Sequence, residues 1–218
     1  MPIYKKIDAP YNTQILVWHI TEDETVLRRG IELTNLCINR LRRGIELTNL
    51  CINRLSQMKS DVHRCGFLSV RQLLAAAGYT PSALHYDDFG KPHLTDGRFI
   101  SITHSHQFSA IAIGDKPLGI DLEKERSKVH RIASRFLDVS ERTPNATDRI
   151  RTTQWCIKEA AYKALGKKGV SFLHDIRTTN LDGEYPVAVV NLNQKTIKLK
   201  NWLYFWDQFS CAVAIKSQ

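Results

Sequence analysis

Three short apolar runs crowd into residues 99–123 of this 218-residue chain: Phe99–Thr103, Phe108–Ile113 and Leu118–Glu123. They are separated by His104-Ser105-His106 and by Gly114-Asp115-Lys116-Pro117, sequences that read as turns. Turns this short between strands make the sheet they form largely antiparallel. Helical patterns flank the strands. Upstream, Ile15–Ile20 reads as a strand, much of 24–58 as a helix, and Phe67–Ala77 as a second helix closed by Gly78. Downstream, residues 129–137 and 152–165 have helical spacing, and Gly166 fits a C-cap. Strands at 176–179, 187–191, 204–206 and 211–215 complete the pattern. Each half thus offers helices and a small antiparallel sheet, which predicts an α+β fold of two similar lobes, residues 1–114 and 115–218, with the seam in the turn at 114–117.

The N-terminal half contains a perfect tandem copy: residues 27–40 and residues 41–54 both read LRRGIELTNLCINR. Repeat architectures use longer, diverged units, so this is not a solenoid. One extra copy turns a helix by only about 40° from whole turns, so a helix could absorb it and keep its apolar face. The copy is expected to lengthen a helix or to bulge from the fold.

Composition bounds the function. No apolar run approaches the ~20 residues of a membrane helix, which argues against a spanning segment. The opening Met-Pro-Ile-Tyr-Lys-Lys-Ile-Asp has no apolar core of a signal peptide. The five cysteines, Cys37, Cys51, Cys65, Cys156 and Cys211, form no C-x-x-C pair and read as reduced thiols of a cytoplasmic protein. A net charge of +9 points to anionic partners: nucleic acid, phosphorylated ligands or an acidic protein.

Three clusters carry chemistry. In Gly119-Ile120-Asp121-Leu122-Glu123, strand alternation puts Asp121 and Glu123 on one face and Ile120 and Leu122 on the other. Two carboxylates so placed repel unless a cation lies between them, and hard oxygen ligands suit Mg²⁺. An isolated pair of this kind is equally an exposed acidic edge. In Trp155-Cys156-Ile157-Lys158-Glu159-Ala160-Ala161-Tyr162-Lys163, helical spacing aligns Trp155, Glu159 and Lys163. This gives either a third carboxylate with a phosphate-binding lysine one turn on, or a simple surface Glu–Lys pair. The third cluster is Gly90-Lys91-Pro92 followed by Thr103-His104-Ser105, a cation, hydroxyl and imidazole set suited to phosphate. Each of these is weak alone.

Taken in order, G-K-P-x-L, I-T-H-S, G-I-D-L-E and W-x-x-K-E-A-x-Y-K-A-x-G resemble the 4'-phosphopantetheinyl transferase superfamily, in its monomeric two-lobed branch, over residues 62–180. The resemblance implies two pseudo-symmetric lobes with the active site in the cleft between them. It implies that Asp121, Glu123 and Glu159 hold Mg²⁺ against the pyrophosphate of coenzyme A, and that Lys163 neutralises the leaving 3',5'-ADP with help from Lys158. It further implies that Thr103 and His104 meet the 3'-phosphate, that Lys91 holds phosphate, and that Arg71 contacts the nucleotide. It also implies that the acceptor is a serine of an acyl or peptidyl carrier protein, deprotonated by Glu159 or a metal-bound water. Carrier proteins are acidic, and the basic run Lys124, Arg126, Lys128, Arg131 and Arg135 is the expected docking surface. The rival readings are a basic nucleic-acid-binding protein, against which the chain lacks helix-turn-helix, zinc-finger and RNP signatures, and a Mg²⁺-dependent phosphohydrolase.

Overall fold

The computed structural model describes residues 3–33 and 49–216. Among the described residues eleven strands and five helices follow in the order β1 (Lys5–Ala9), β2 (Thr13–His19), α1 (Glu24–Leu33), α2 (Asn49–Gln57), α3 (Asp61–Ala76), β3 (Leu84–Tyr86), β4 (Pro92–Leu94), β5 (Phe99–Ser105), β6 (Phe108–Gly114), β7 (Leu118–Lys124), α4 (Lys128–Ile132), α5 (Asp148–Leu165), β8 (Ile176–Thr179), β9 (Val187–Leu192), β10 (Lys195–Trp206) and β11 (Phe209–Lys216). The strands form two antiparallel sheets. One has the order β1-β2-β6-β5-β4-β3 and the other β7-β11-β10-β9-β8. The class is α+β, as the alternation of short strands and helices leads one to expect.

Period-two alternation gives the central strands β2 and β6 of the first sheet two buried faces, with β5 largely buried beside them. Leu16, Trp18, Ile100, Ile111 and Ile113 pack under α3 through Leu68, Val70, Leu73 and Leu74. Their neighbours Ile15, Val17, Phe108, Ala110 and Ala112 meet Leu118, Ile120, Leu122, Phe209, Cys211, Val213 and Ile215 of the second sheet. The far face of the second sheet, with Ala188, Val190, Ala212 and Ala214, packs against Cys156, Ile157, Ala160, Ala161 and Ala164 of α5. The result is helix, sheet, sheet, helix, with the two sheets face to face. Burial on this scale, at about 25 cal/mol per Å² of apolar surface, is what drives the stacking.

Two helices begin earlier than their apolar periodicity suggests. Helix α3 starts at Asp61, not Phe67, because Arg64 in its polar first turns is tied to Glu24 Oε2 at 2.6 Å and to the Met58 carbonyl at 2.7 Å. Helix α5 starts at Asp148, where the Thr147 hydroxyl accepts from Ile150 N, and ends at Gly166 in the left-handed region with φ 61°. Strands β1, β3 and β4 are too short or too polar to stand out in the sequence.

The expected fate of the duplicated segment lies largely outside the described residues, since 34–48 are not among them. What is described is informative. Helix α1 takes Leu27–Leu33 from the first copy and α2 takes Asn49–Arg54 from the second, and together these spell one copy but for a single threonine. The buried anchors are shared in the same way, Leu27 from the first and Cys51 from the second. Removing either copy yields the same protein, with one copy able to supply both sets of anchors. The 27–40 deletion is therefore expected to fold with a melting temperature equal to or above that of the full chain, because excess chain adds ordering cost without core. Thermal melts of both versions check this. An insoluble deletion would mean that the surplus copy has become part of the lobe.

Candidate active site

Strand β7 brings its two carboxylates under α5. Gly119 permits the approach: a Cβ there would overlap the carbonyl oxygen of Ala160, so any larger residue would push the helix away. With α5 so close, Lys163 does not pair with Glu159 one turn back. Its ammonium donates to Asp121 Oδ1 at 2.7 Å and to the Ile120 carbonyl at 3.1 Å. The Thr103 hydroxyl donates to the same Asp121 oxygen at 3.3 Å, and the Ser105 hydroxyl donates to Glu123 Oε2 at 2.7 Å. Asp121 Oδ2 is buried with no hydrogen-bond partner among the described residues.

The electrostatics follow from this crowding. Burial pushes the Glu159 carboxyl up to about 7, and the nearby Asp121 charge adds to the effect. Burial and then Asp121 raise Glu123 as well, against the opposing Ser105 hydrogen bond. For Lys163, burial pulls the ammonium down, yet Asp121 outweighs it and the net shift is upward. A carboxyl raised in the folded state binds more protons there than in the unfolded chain, so its contribution to stability falls as pH rises from about 4.5 through about 7. In divalent-free buffer the unaltered protein is therefore expected to lose about 2 kcal/mol over that window relative to Glu159→Gln. Parallel pH–melting curves test this: a constant difference between the two proteins would mean that Glu159 does not titrate there.

Asp121, Glu123 and Glu159 thus influence one another, and the unpartnered Asp121 oxygen is the donor chemistry a hard cation takes. They are not gathered into a ligand group. Among the described residues no three His, Cys, Asp or Glu side chains are so arranged. Lys163 occupies Asp121 and Ser105 occupies Glu123 instead.

The remaining expected site residues divide between two adjoining hollows. A groove of about 300 Å³ beside α3 is lined by Arg54, His63, Arg71, Tyr86, Ile102 and His104, among others. Arg71 is 5% exposed, with its guanidinium 3.5 Å from the Phe67 ring centre and donating to Cys51 Sγ at 3.8 Å. Its Nε has no partner among the described residues. Desolvation, then His63, hold the His104 imidazole below its usual value. A cleft of about 260 Å³ between the lobes is lined by Phe89, Lys91, Ser101, Tyr162, Lys163 and Lys168, among others, and shares Tyr86 and Ile102 with the groove. Lys91 reaches across this cleft to the Ala164 carbonyl at 3.1 Å, over Gly166, where a side chain would collide with it.

Two expectations need correction. Thr103 and His104 do not act on one phosphate from one face: neighbours on a strand point oppositely, and the Thr103 hydroxyl turns to Asp121 and Leu122 N while His104 turns to the groove. Lys158 does not reach either hollow. It is wholly buried, paired with Glu141 at 2.8 Å and donating to the carbonyls of Phe136, Phe172 and Ile176. One residue along a helix is a turn of about 100°, so Lys158 and Glu159 face different neighbours. Neither Arg54 nor His63 stands out in the sequence as a site residue, and Ser105, grouped there with Thr103 and His104 for phosphate, turns instead to Glu123.

Comparison with known proteins bears on this site. The model of the 4'-phosphopantetheinyl transferase superfamily matches residues 117–214. A 4'-phosphopantetheinyl transferase of Bacillus subtilis is 30% identical over 145 residues, covering 60% of this chain and 64% of that protein. The chain thus spans somewhat under two thirds of that relative. The crystal structure of Thermotoga maritima holo-[acyl-carrier-protein] synthase matches with a TM-score of 0.40 and 26% identity, over 47% of this chain and 63% of that one. The matched family region runs from the start of β7 to near the end of β11 and holds both strand carboxylates and all of α5. Through this lobe the chain is similar to the 4'-phosphopantetheinyl transferase superfamily.

Proposed function

We propose that this chain transfers 4'-phosphopantetheine from coenzyme A to a serine of an acyl or peptidyl carrier protein and releases 3',5'-ADP. The observation that carries the reading is Lys163, which lines the inter-lobe cleft and holds Asp121 at 2.7 Å, with Glu159 one turn back on the same helix. Glu159 takes the proton of the carrier serine, whose oxygen then attacks the β-phosphorus of coenzyme A. The bond from that phosphorus to the bridging oxygen breaks and 3',5'-ADP leaves. Lys163 and Lys91 line the cleft and meet the pyrophosphate charge. Asp121, through the oxygen that Lys163 leaves free, would hold a magnesium ion with Glu123 and Glu159 if these drew closer than they stand here, and the ion would supply charge neutralisation on the pyrophosphate. His104, with Arg71 and Arg54 behind it in the groove, meets the 3'-phosphate. Arg126, Lys128, Arg131 and Arg135 are exposed just beyond β7 and present a basic face to an acidic carrier. A cytoplasmic monomer is the form this reading favours.

Incubation with coenzyme A, Mg²⁺ and apo-carrier, followed by mass spectrometry, tests the function. A carrier mass gain supports transfer; nucleotide release without carrier would indicate hydrolysis, and salt-sensitive binding of random oligonucleotides a nucleic-acid partner. The phosphate assignment has its own check. His104→Ala is expected to weaken coenzyme A binding by roughly tenfold or more, the value of a charge-assisted hydrogen bond, and to leave 3'-dephospho-coenzyme A little affected. Equal losses for both ligands would make His104 structural.

A further inference from the structure

Strand β7 lies at the edge of its sheet and pairs on one side only, with β11. Its other edge carries amide groups that need acceptors once buried. No strand among the described residues supplies them. The Ile120 amide donates to Ser101 Oγ at 3.0 Å and the Leu122 amide to Thr103 Oγ1 at 3.3 Å. These hydroxyls belong to β5, in the other sheet and the other lobe. A hydroxyl accepts and donates at once, and the donors continue the pattern: Thr103 to Asp121 Oδ1 at 3.3 Å and Ser105 to Glu123 Oε2 at 2.7 Å. Ser101, Thr103 and Ser105 are all buried, at 4%, 5% and 7% exposure, where an unsatisfied hydroxyl would be costly. Their spacing of two matches that of the groups they serve on β7, so side chains of one strand replace the main chain of a missing neighbour.

We propose that Ser101, Thr103 and Ser105 form a hydroxyl ladder that closes the open edge of β7 and holds Asp121 and Glu123 in place, making Thr103 and Ser105 positioning residues for the transfer. The transfer part rests on the function proposed above; the ladder itself does not. The arrangement joins the two hollows through one strand. Ile102 and His104 face the groove while Thr103 and Ser105, alternating with them, hold the carboxylates. A ligand phosphate that orders His104 thereby orders the strand that fixes the acid pair. Neither serine nor threonine touches the reacting atoms in this scheme; each acts through a carboxylate.

The full chain serves for the test, with Ser105→Ala, Ser105→Thr, Thr103→Val and Thr103→Ser. Ser105→Ala is expected to lower kcat about tenfold while KM for coenzyme A stays within about twofold. Ser105→Thr, which restores the hydroxyl, is expected to recover most of the rate. Thr103→Val, isosteric without the donor and acceptor, should speed amide hydrogen exchange across β7, and Thr103→Ser should restore protection. An unchanged kcat in Ser105→Ala, or no recovery in Ser105→Thr, overturns the positioning role. Unchanged exchange in Thr103→Val overturns the ladder. If the unaltered protein modifies no carrier, the proposed function and the positioning role fall together, and the exchange measurement still decides the ladder.

Discussion

Asp121→Asn is expected to lower carrier modification by at least about a hundredfold, the scale of losing a charge placed at a developing transition state. The change is isosteric, so it keeps the contact with the Thr103 hydroxyl and removes only the negative charge that Lys163 meets at 2.7 Å. Asp121→Ala should cost as much activity but also stability. Read from the strand alone, removing one of two like charges relieves repulsion. In the folded protein the same removal strips a largely buried Lys163 of its counter-charge and leaves the Thr103 hydroxyl facing a gap. Lys163 keeps some solvent, 29% of its side chain, so the stability loss should stay below that of a fully buried pair. Transfer assays with melting curves on both variants give the comparison. Full activity in Asp121→Asn would remove Asp121 from the chemistry.

Lys158→Ala is expected to give the largest loss of stability among the charged residues of α5, about 3–5 kcal/mol, or a fall of roughly 10 °C or more in melting temperature. Its side chain is 0% exposed and Glu141 only 4%, and the ammonium answers three carbonyls as well as the carboxylate. Glu141 in turn accepts from the Thr178 amide and hydroxyl at 2.8 Å each and from Arg177 at 3.3 Å. Burial alone would raise the Glu141 carboxyl; the Lys158 hydrogen bond and the Thr178 amide overcome it and hold the group below its usual value. The network ties α5 to β8 and to the segment around residues 136–141. Below its melting point Lys158→Ala should bind coenzyme A normally, because the ammonium reaches neither hollow. Normal stability with weakened coenzyme A binding would return Lys158 to the phosphate site.

The sequence by itself determined what depends on neighbours along the chain. The crowded runs of residues 99–123 fold as β5, β6 and β7 because period-two alternation and short turns admit little else. The same alternation puts Ile120 and Leu122 in the inter-sheet core and Asp121 and Glu123 away from it. Gly166 ends α5 because only a residue tolerant of positive φ fits there. Tertiary structure alone decided the partners. Lys163 looks one turn back to Glu159 in the sequence, yet pairs with Asp121 across 42 positions because Gly119 lets the helix settle on the strand. Lys158 and Glu159 adjoin in the sequence and part at once, one into a buried ion pair and the other toward the carboxylates. Thr103 and Ser105 look like a strand end; their roles appear only when another lobe leaves an edge of β7 for them to close. Local periodicity fixes which face a side chain takes. Which group waits on that face is fixed by how the layers stack, and that depends on the burial of residues far apart in the chain.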